Sequence, residues 1–253
     1  MVVRLTSVAQ CFLPNFLSES PVKPIEEVAA LPADTDVLVI GAGITGLYAS
    51  HQFWKSGRRI ILLEKSSKIG GVWTSQANVW SRVNTSEPAY RPRHETDTKN
   101  VSMTRSLHPS TADIMSALND VTATGLKECI HLQVIVSGVV KVQDLNAFDV
   151  HYHDKKSGHR SCIRASIVLV CVNRRIGKLR IVDLPGEAKF CGKIAYGVNN
   201  EINGVDFAGR SVLIIGAGAF ASENARNAVE CGARKVVVLS RRRGTVMPLL
   251  LDY

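Results

Sequence analysis

Gly41, Gly43 and Gly46 fall in the order G-x-G-x-x-G inside "LVIGAGITGLYASHQFWKSGRRIILLEK". Those residue types at that spacing can cradle a pyrophosphate. A glycine at 41 permits a tight turn out of a strand, and one at 43 lets the backbone approach a phosphate with no Cβ in the way. Gly46 permits close packing of the helix that follows. The first residues of that helix, Ile44 and Thr45, offer an anion backbone N–H groups that have no helical partner of their own. Glu64 closes the next strand at a distance suited to accepting hydrogen bonds from both hydroxyls of a ribose, with Lys65 beside it. The plainer alternative is a glycine-rich structural turn. The strand before, the helix after and the acid beyond are the context that a dinucleotide site needs.

A second turn of the same kind lies in "LIIGAGAFASENARNAVECGARKVVVLSRRR". Gly216, Gly218 and Ala221 make G-x-G-x-x-A, an accepted variant, with Ala219 and Phe220 at the start of the helix. The strand "VVVL", expected to be buried, is followed by Ser240 where the first unit has Glu64. No carboxylate stands there to repel a 2′-phosphate. Arg241, Arg242 and Arg243 offer cationic, multidentate partners for one. The second site therefore reads as one for NADPH. A nuclear-localisation-like patch or a solvated strand end would also use three arginines, but neither accounts for their place at the end of the second strand of such a unit.

Positioning these turns takes an α/β chain. "DVLVI" is a short apolar run rich in β-branched residues, as in a buried parallel strand. Ile44 to Trp54 reads as a helix and "RIILLE" as the next strand. "STADIMSALNDV" starts with a Ser/Thr cap and keeps helical spacing. Three β-like runs follow, "HLQVIVSGVVKV", "FDVHYHD" and "CIRASIVLVCV", the last two joined by the hairpin turn "DKKSGHR". "SVLIIG" opens a fresh strand-turn-helix-strand unit. The expected architecture is two Rossmann-type dinucleotide-binding units with a β-hairpin or meander region between them and the second unit incomplete. The expected domains are a leader or arm over 1–35, a first dinucleotide-binding domain over 36–205 and the start of an NADP-binding domain over 206–253. "VMPLLLDY" at the end would carry apolar side chains beside an open sheet edge, so association through the C-terminal edge is expected.

Bulk properties exclude several classes. The 253 residues are 45% hydrophobic and 21% charged, ordinary for a globular chain. No apolar run is long enough for a transmembrane helix. The opening residues are a poor match to a signal or transit peptide. Six cysteines, at 11, 129, 162, 171, 191 and 231, have neither metal-ligand nor disulfide-framework spacing, which points to a reducing, cytoplasmic setting. Cys171 and Cys231 read as small core residues. His151 and His153 alternate on one strand face and read as solvent-facing rather than as a metal site. The net charge of +9 comes from scattered groups, such as Arg91/Arg93 and Arg174/Arg175, without the aromatic interleaving of a nucleic-acid surface. A basic surplus suits anionic cofactors.

"KIGGVWTS" follows the first acid at once. Gly70 and Gly71, with Val72 and Trp73 after them, resemble the second glycine signature of FAD-binding enzymes with two dinucleotide sites, which turns the first site from NAD to FAD. Two such turns, a Gly-Gly-x-Trp after the first acid and a basic second site resemble the class B flavoprotein monooxygenases: the flavin-containing monooxygenases and their Baeyer–Villiger and N-hydroxylating relatives. The resemblance runs from about Asp36 to the C-terminus. "RVNTSEPAY" looks like the family segment in which an asparagine sits near the flavin C4a, and Asn84 is the match. There are departures. In the family's F-x-G-x-x-x-H fingerprint Phe190 and Gly192 fit, but Tyr196 replaces the histidine. "VCVNRR" stands where the family has Ala-Thr-Gly. The chain stops at Tyr253, whereas relatives return to the FAD domain, so it looks like the N-terminal half of such an enzyme or a shortened relative.

The resemblance implies that NADPH reduces FAD and that dioxygen then forms a C4a-hydroperoxyflavin. One oxygen atom passes to a small nucleophilic or carbonyl substrate, with Asn84 hydrogen-bonding to the peroxide. No side-chain nucleophile is needed, and no Ser/His/Asp or Cys/His set is apparent. A pyridine-nucleotide disulfide reductase would need a redox cysteine pair, and neither C-x-x-C nor C-x4-C occurs. The remaining alternative is a truncated, non-catalytic FAD/NADP-binding protein.

Overall fold

The structure is a computed structural model that describes residues 31–83, 108–173, 182, 184–198 and 201–241. The arm over 1–30, with Cys11, the paired arginines at 91/93 and 174/175, and the terminal "VMPLLLDY" lie outside the described residues.

The first unit is built on one six-stranded sheet. β1 (Asp34–Ile40) and β2 (Ile60–Glu64) flank α1 (Ile44–Lys55) in sequence and pair in parallel, Val37 opposite Ile60 and Ile40 opposite Leu63. A one-turn α2 (Val72–Ser75) and α3 (Thr111–Ala123) come next. They are followed by β3 (Ile130–Leu132), β4 (Val134–Val142), β5 (Ala147–Asp154) and β6 (Arg160–Val170). The strand order is β3-β2-β1-β6-β5-β4. β3, β2, β1 and β6 run parallel; β4, β5 and β6 form the antiparallel meander read from the sequence. α3 starts where its cap was expected: Ser110 Oγ accepts from the Asp113 N–H, and Asp113 Oδ2 accepts from the Ser110 N–H at 2.8 Å. That is a reciprocal capping box.

One expectation is corrected. "HLQVIVSGVVKV" is not one strand but two, broken at Gln133, whose φ is +63°. The break has a consequence for the whole sheet. β3 pairs with β2 at one edge and β4 with β5 at the other, yet the two are joined by this single residue. The sheet must therefore curl until its edges meet at Gln133. Gln133 N–H donates to Ser66 O at 3.0 Å, and its own carbonyl accepts from the Lys155 N–H at 2.9 Å, which stitches the seam.

The curl gives the sheet two cores. On the helix side Val37, Val39, Ile60 and Leu62 pack with Leu47 of α1 and with Leu118 and Val121 of α3. On the other side Leu38, Ile61 and Leu63 pack with Val134, Val150, Tyr152 and Ile163 of the meander. β2 is buried along its whole length, which is why its sequence is unbroken "IILLE" rather than alternating.

The second unit is β7 (Ser211–Ile215), α4 (Ala219–Glu230) and β8 (Lys235–Leu239). The strands pair in parallel, Ser211 opposite Lys235 and Ile215 opposite Leu239. Ala195, Ile202 and Phe207 share a core with Val212, Ile214 and Ala228. The expectation that "VVVL" is buried is corrected here. Val237, Val238 and Leu239 are exposed at 42%, 47% and 55%, because among the described residues β8 is flanked only by β7 and α4. Leu213 and Ile215 are paired with Val237 and Leu239 and are exposed with them on the same face.

Candidate functional site

Both glycine turns leave a strand and enter a helix by the same hydrogen bonds. Gly41 N–H donates to Leu63 O, and Gly216 N–H to Leu239 O, each at 2.8 Å. Gly43 O accepts from the Leu47 N–H, and Gly218 O from the Ser222 N–H, each at 3.0 Å. Gly43 and Gly218 are the N-cap residues of α1 and α4. Neither helix start has a side-chain cap, and neither first turn holds an acid. α3, with its full capping box, has both. The uncapped N–H groups, with Ile44, Thr45, Ala219 and Phe220 in the first turns, are donors presented to whatever sits before the helix.

The first turn is tight. Gly41 takes φ +102°, and a Cβ there would stand 2.8 Å from Cys171 O at the end of β6. At Gly46 a Cβ would overlap the carbonyl oxygen of Gly41. Gly46 is thus required by the turn itself more than by helix-to-sheet packing, a refinement of the sequence argument. Gly43 differs: its Cβ would meet only Gly71 Cα, at 3.7 Å. The second turn is wider. Ala221 stands where the first unit has Gly46, and a Cβ on Gly216 would lie 3.7 Å from the Cβ of Ala221. A Cβ on Gly218 would meet nothing within 4 Å. This is why alanine suffices at 221.

Glu64, 7% exposed at the end of β2, grips the first turn. Its Oε2 accepts from the Ala42 N–H at 2.7 Å and its Oε1 from the Ser66 N–H at 2.8 Å. Each oxygen keeps further lone-pair capacity. Lys65 beside it is exposed. Gly70 N–H donates to Ala42 O at 2.8 Å, so the Gly-Gly segment is tied to the same turn. Gly70 and Gly71 take φ +113° and +57°. Val72 and Trp73 open α2, and Trp73 packs against the helix-side core. Cys171, whose carbonyl faces Gly41, is half-buried against that core, and burial pushes its thiol pKa up. Cys231 is likewise half-buried, at the edge of the second core.

At the second turn Ser240 and Arg241 are exposed beyond the end of β8. Asn84, Arg242 and Arg243 lie outside the described residues. Beside the turn is a cavity of about 280 Å³ lined mainly by apolar groups, among them Leu184, Ile215, Phe220 and Ala221, with Tyr196 and Asn224. Phe190 is exposed, and Tyr196 O–H is buried without a hydrogen-bond partner among the described residues. His151 is exposed and His153 half-buried, on either side of buried Tyr152. Among the described residues no group of three His, Cys, Asp or Glu is placed to hold a metal.

The model of the FAD dependent oxidoreductase family matches residues 36–169, more than half of the chain. The chain belongs to that family. This FAD dependent oxidoreductase is 25% identical over 185 residues to "Acetone monooxygenase (methyl acetate-forming)" of Gordonia sp. (strain TY-5), covering 73% of this chain and 34% of the relative. It is 26% identical over 217 residues to the "FAD-binding monooxygenase VdtE" of Byssochlamys spectabilis, covering 85% and 37%. The chain thus spans about a third of the length of these relatives. Among solved structures, "Oxidized steroid monooxygenase bound to NADP" superposes with a TM-score of 0.62 at 23% identity, over 81% of this chain and 38% of that one. Cyclohexanone monooxygenase from Rhodococcus sp. Phi1 bound to NADP+ superposes with a TM-score of 0.60 at 22% identity, over 82% and 38%. These likenesses show a shared fold. The expected kinship with class B flavin monooxygenases is borne out by the relatives' names.

The sequence pattern did not disclose the contacts between the units. Glu223 and Arg226 of α4 bond to the backbone of residues 80–82 of the first unit. The only signal for them was an oppositely charged pair at i, i+3 on a helix, which most often faces solvent.

Proposed function

We propose that this chain is the nucleotide-binding portion of an NADPH-dependent flavin monooxygenase, holding FAD at the 41–46 turn and NADPH at the 216–221 turn. The observation that supports this best is the pair of uncapped helix starts, each directly behind a glycine turn, whereas α3, the other long helix among the described residues, is capped in full. Bare N–H donors behind a Cβ-free turn fit a pyrophosphate. Glu64 then serves twice, fixing the turn through Ala42 and keeping lone pairs for the ribose hydroxyls of FAD. Gly70 and Gly71 shape the wall opposite Gly43. Arg241 and Arg242 are assigned to the 2′-phosphate of NADPH. Asn84, directly after buried Val83, is assigned to hydrogen bonding near the flavin C4a.

When bound, FAD supplies hydride acceptance and dioxygen activation. The chain's own part is to hold two nucleotides and keep their reactive ends in register. The relatives' names favour a small molecule as the oxygen acceptor. No helix among the described residues is long and apolar enough to cross a membrane. A cytoplasmic setting is proposed on the free thiols at 129, 162, 171, 191 and 231. Association through the second sheet is proposed on Leu213, Ile215, Val237 and Leu239 and is checked by light scattering.

The deciding experiment is purification of the chain with flavin. A yellow protein is expected, and Gly43→Val should lose the colour while staying folded. A colourless wild-type chain would overturn the reading. Oxygen uptake with NADPH and a thioether then separates an enzyme from the alternative, a non-catalytic FAD/NADP-binding protein.

A further inference from the structure

The start of α4 is the second nucleotide turn; its middle is docked on the first unit. Glu223 Oε1 accepts from the backbone N–H of Arg82 at 3.0 Å. Arg226 Nη2 donates to the backbone carbonyl of Trp80 at 2.9 Å. The two side chains are paired with each other, Nη2 to Oε1 at 2.9 Å, with side-chain exposures of only 23% and 10%. Arg226 is steadied further by Asn227 Oδ1 at 3.4 Å and by Glu230 at 3.5 Å. Asn227 is 1% exposed, and its Nδ2 is buried without a hydrogen-bond partner among the described residues. Burial pushes the Glu223 pKa up, against the opposing pull of Arg226 and of the Arg82 N–H.

The gripped segment is fixed to the first unit. Thr111 Oγ1 donates to Asn78 O at 3.0 Å, Thr111 N–H to Ser81 O at 3.1 Å and Val83 N–H to Pro109 O at 3.0 Å. Val83 is buried in the helix-side core together with Leu47 of α1, and Trp73 of α2 packs against that core. A rigid path therefore runs from α4 to the elements around the first turn. Glu223 lies about one turn along α4 from Ala219, roughly 6 Å at 1.5 Å per residue. A phosphate drawn onto the start of α4 thus acts on a helix that packs in the second core and is also docked on residues 80–82. The contact is polar and partly unsatisfied, the make-up of an interface that can shift rather than of a permanent core.

We propose that Glu223 and Arg226 are positioning residues that couple the two nucleotide sites, so that a nucleotide at the 216–221 turn changes the affinity for FAD at the 41–46 turn. This rests on the nucleotide assignments proposed above. Linkage makes the coupling reciprocal: FAD must change the affinity for NADP⁺ by the same factor.

The test has two parts on the full chain. The first needs no cofactor. Amide hydrogen exchange at Arg82 is compared in the wild type, Glu223→Ala and Glu223→Gln. Exchange should be at least about tenfold faster in the alanine variant and near wild type in the glutamine variant, which keeps an acceptor. Amides of β1 and β2 serve as the folding control. In the second, NADP⁺ is titrated with and without FAD. The wild-type ratio of dissociation constants should differ from one by about fivefold or more. In Arg226→Met it should fall to near one, with FAD affinity of the nucleotide-free chain unchanged. Unchanged Arg82 exchange in Glu223→Ala would overturn the docking contact. A wild-type ratio of one, or a full ratio in Arg226→Met, would overturn the coupling. Failure of FAD or NADP⁺ to bind at all would overturn the nucleotide assignments and the coupling built on them, with the Arg82 result still reporting the contact itself.

Discussion

Gly71 faces Gly43 across the mouth of the first turn: a Cβ on Gly71 would stand 3.0 Å from the Cα of Gly43. The hydrogen bond from Gly70 N–H to Ala42 O fixes this approach. Two glycine motifs separated by all of α1 and β2 thus form one Cβ-free surface beside the uncapped start of α1. A side chain on either would fill the space that the surface leaves.

The glycines of this surface differ in what they do. Gly43 has ordinary space around its missing Cβ, whereas a Cβ at 46 would overlap the Gly41 carbonyl. Gly43→Ala is expected to unfold at the wild-type temperature without cofactor and yet bind FAD weakly. Gly46→Ala is expected to lose both. Thermal unfolding monitored by circular dichroism, followed by flavin titration, reads the two effects apart. An unfolded Gly43→Ala, or one with full flavin affinity, would contradict the assignment.

Glu64 carries two backbone donors, one on each oxygen, that of Ala42 buried and that of Ser66 part-buried. A glutamine can accept at only one of those positions and turns its amide group toward the other N–H. Leaving a buried donor unpaired costs about 1–3 kcal/mol. Glu64→Gln should therefore destabilise the cofactor-free chain by about that amount, and Glu64→Ala by more. Denaturant unfolding without flavin measures this. No loss in either variant would mean that the carboxylate does not hold the turn and serves a ligand alone.

What the sequence disclosed was local. Gly41, Gly46 and Ser110 each meet a steric or capping demand within a few residues of their own position, so their types announce it. Glu64 was found by its distance from the turn, but its bond to Ala42 was not, because any acid at a strand end is compatible with a ligand. The break at Gln133 had no signal: a polar residue in an alternating run looks like the solvent face of one strand. Its left-handed φ is forced by closure of the curled sheet. The exposure of "VVVL" was missed for a related reason. An apolar run reports what a strand can bury, not which elements are there to bury it. The docking of Glu223 and Arg226 on residues 80–82 joins positions far apart in the chain, and no local pattern encodes such a pairing.

Asp149 and Arg164 face each other across β5 and β6 in register. The guanidinium is bidentate, Nε to Oδ1 at 2.8 Å and Nη2 to Oδ2 at 2.9 Å. The hydrogen bonds from Arg164 hold the Asp149 carboxyl below its ordinary pKa. A carboxylate whose pKa is depressed on folding contributes stability that is present above its unfolded pKa and is lost as pH falls through the folded value. The stability gap between wild type and Asp149→Asn should be full at neutral pH and close in the acid range below the ordinary aspartate pKa. It should also shrink in molar salt, since the pair is partly exposed. Urea unfolding at a series of pH values checks both, and a gap that ignores pH would show that the charge contributes nothing.

Arg241 stands at the end of the second strand-helix-strand unit, exposed, one residue past Ser240, where the first unit has Lys65 after Glu64. On the assignment proposed above, the replacement of an acid by a hydroxyl would remove repulsion, and the arginines would add attraction, for a 2′-phosphate. The chain should therefore bind NADPH more tightly than NADH. A charge-assisted contact contributes about 1.5–3 kcal/mol, roughly one to two decades of affinity. Arg241→Ala combined with Arg242→Ala should cut the preference at least about tenfold on the same basis and leave NADH binding nearly unchanged. Introducing Ser240→Glu should reverse the preference, because a carboxylate there would repel the phosphate and accept from the free ribose hydroxyls instead. The wild-type preference should also fall as salt rises, since exposed Arg241 is open to screening. Fluorescence titration with both nucleotides at two ionic strengths measures all three effects. Equal affinity of the unmutated chain for NADPH and NADH would refute the assignment of the arginines to the 2′-phosphate.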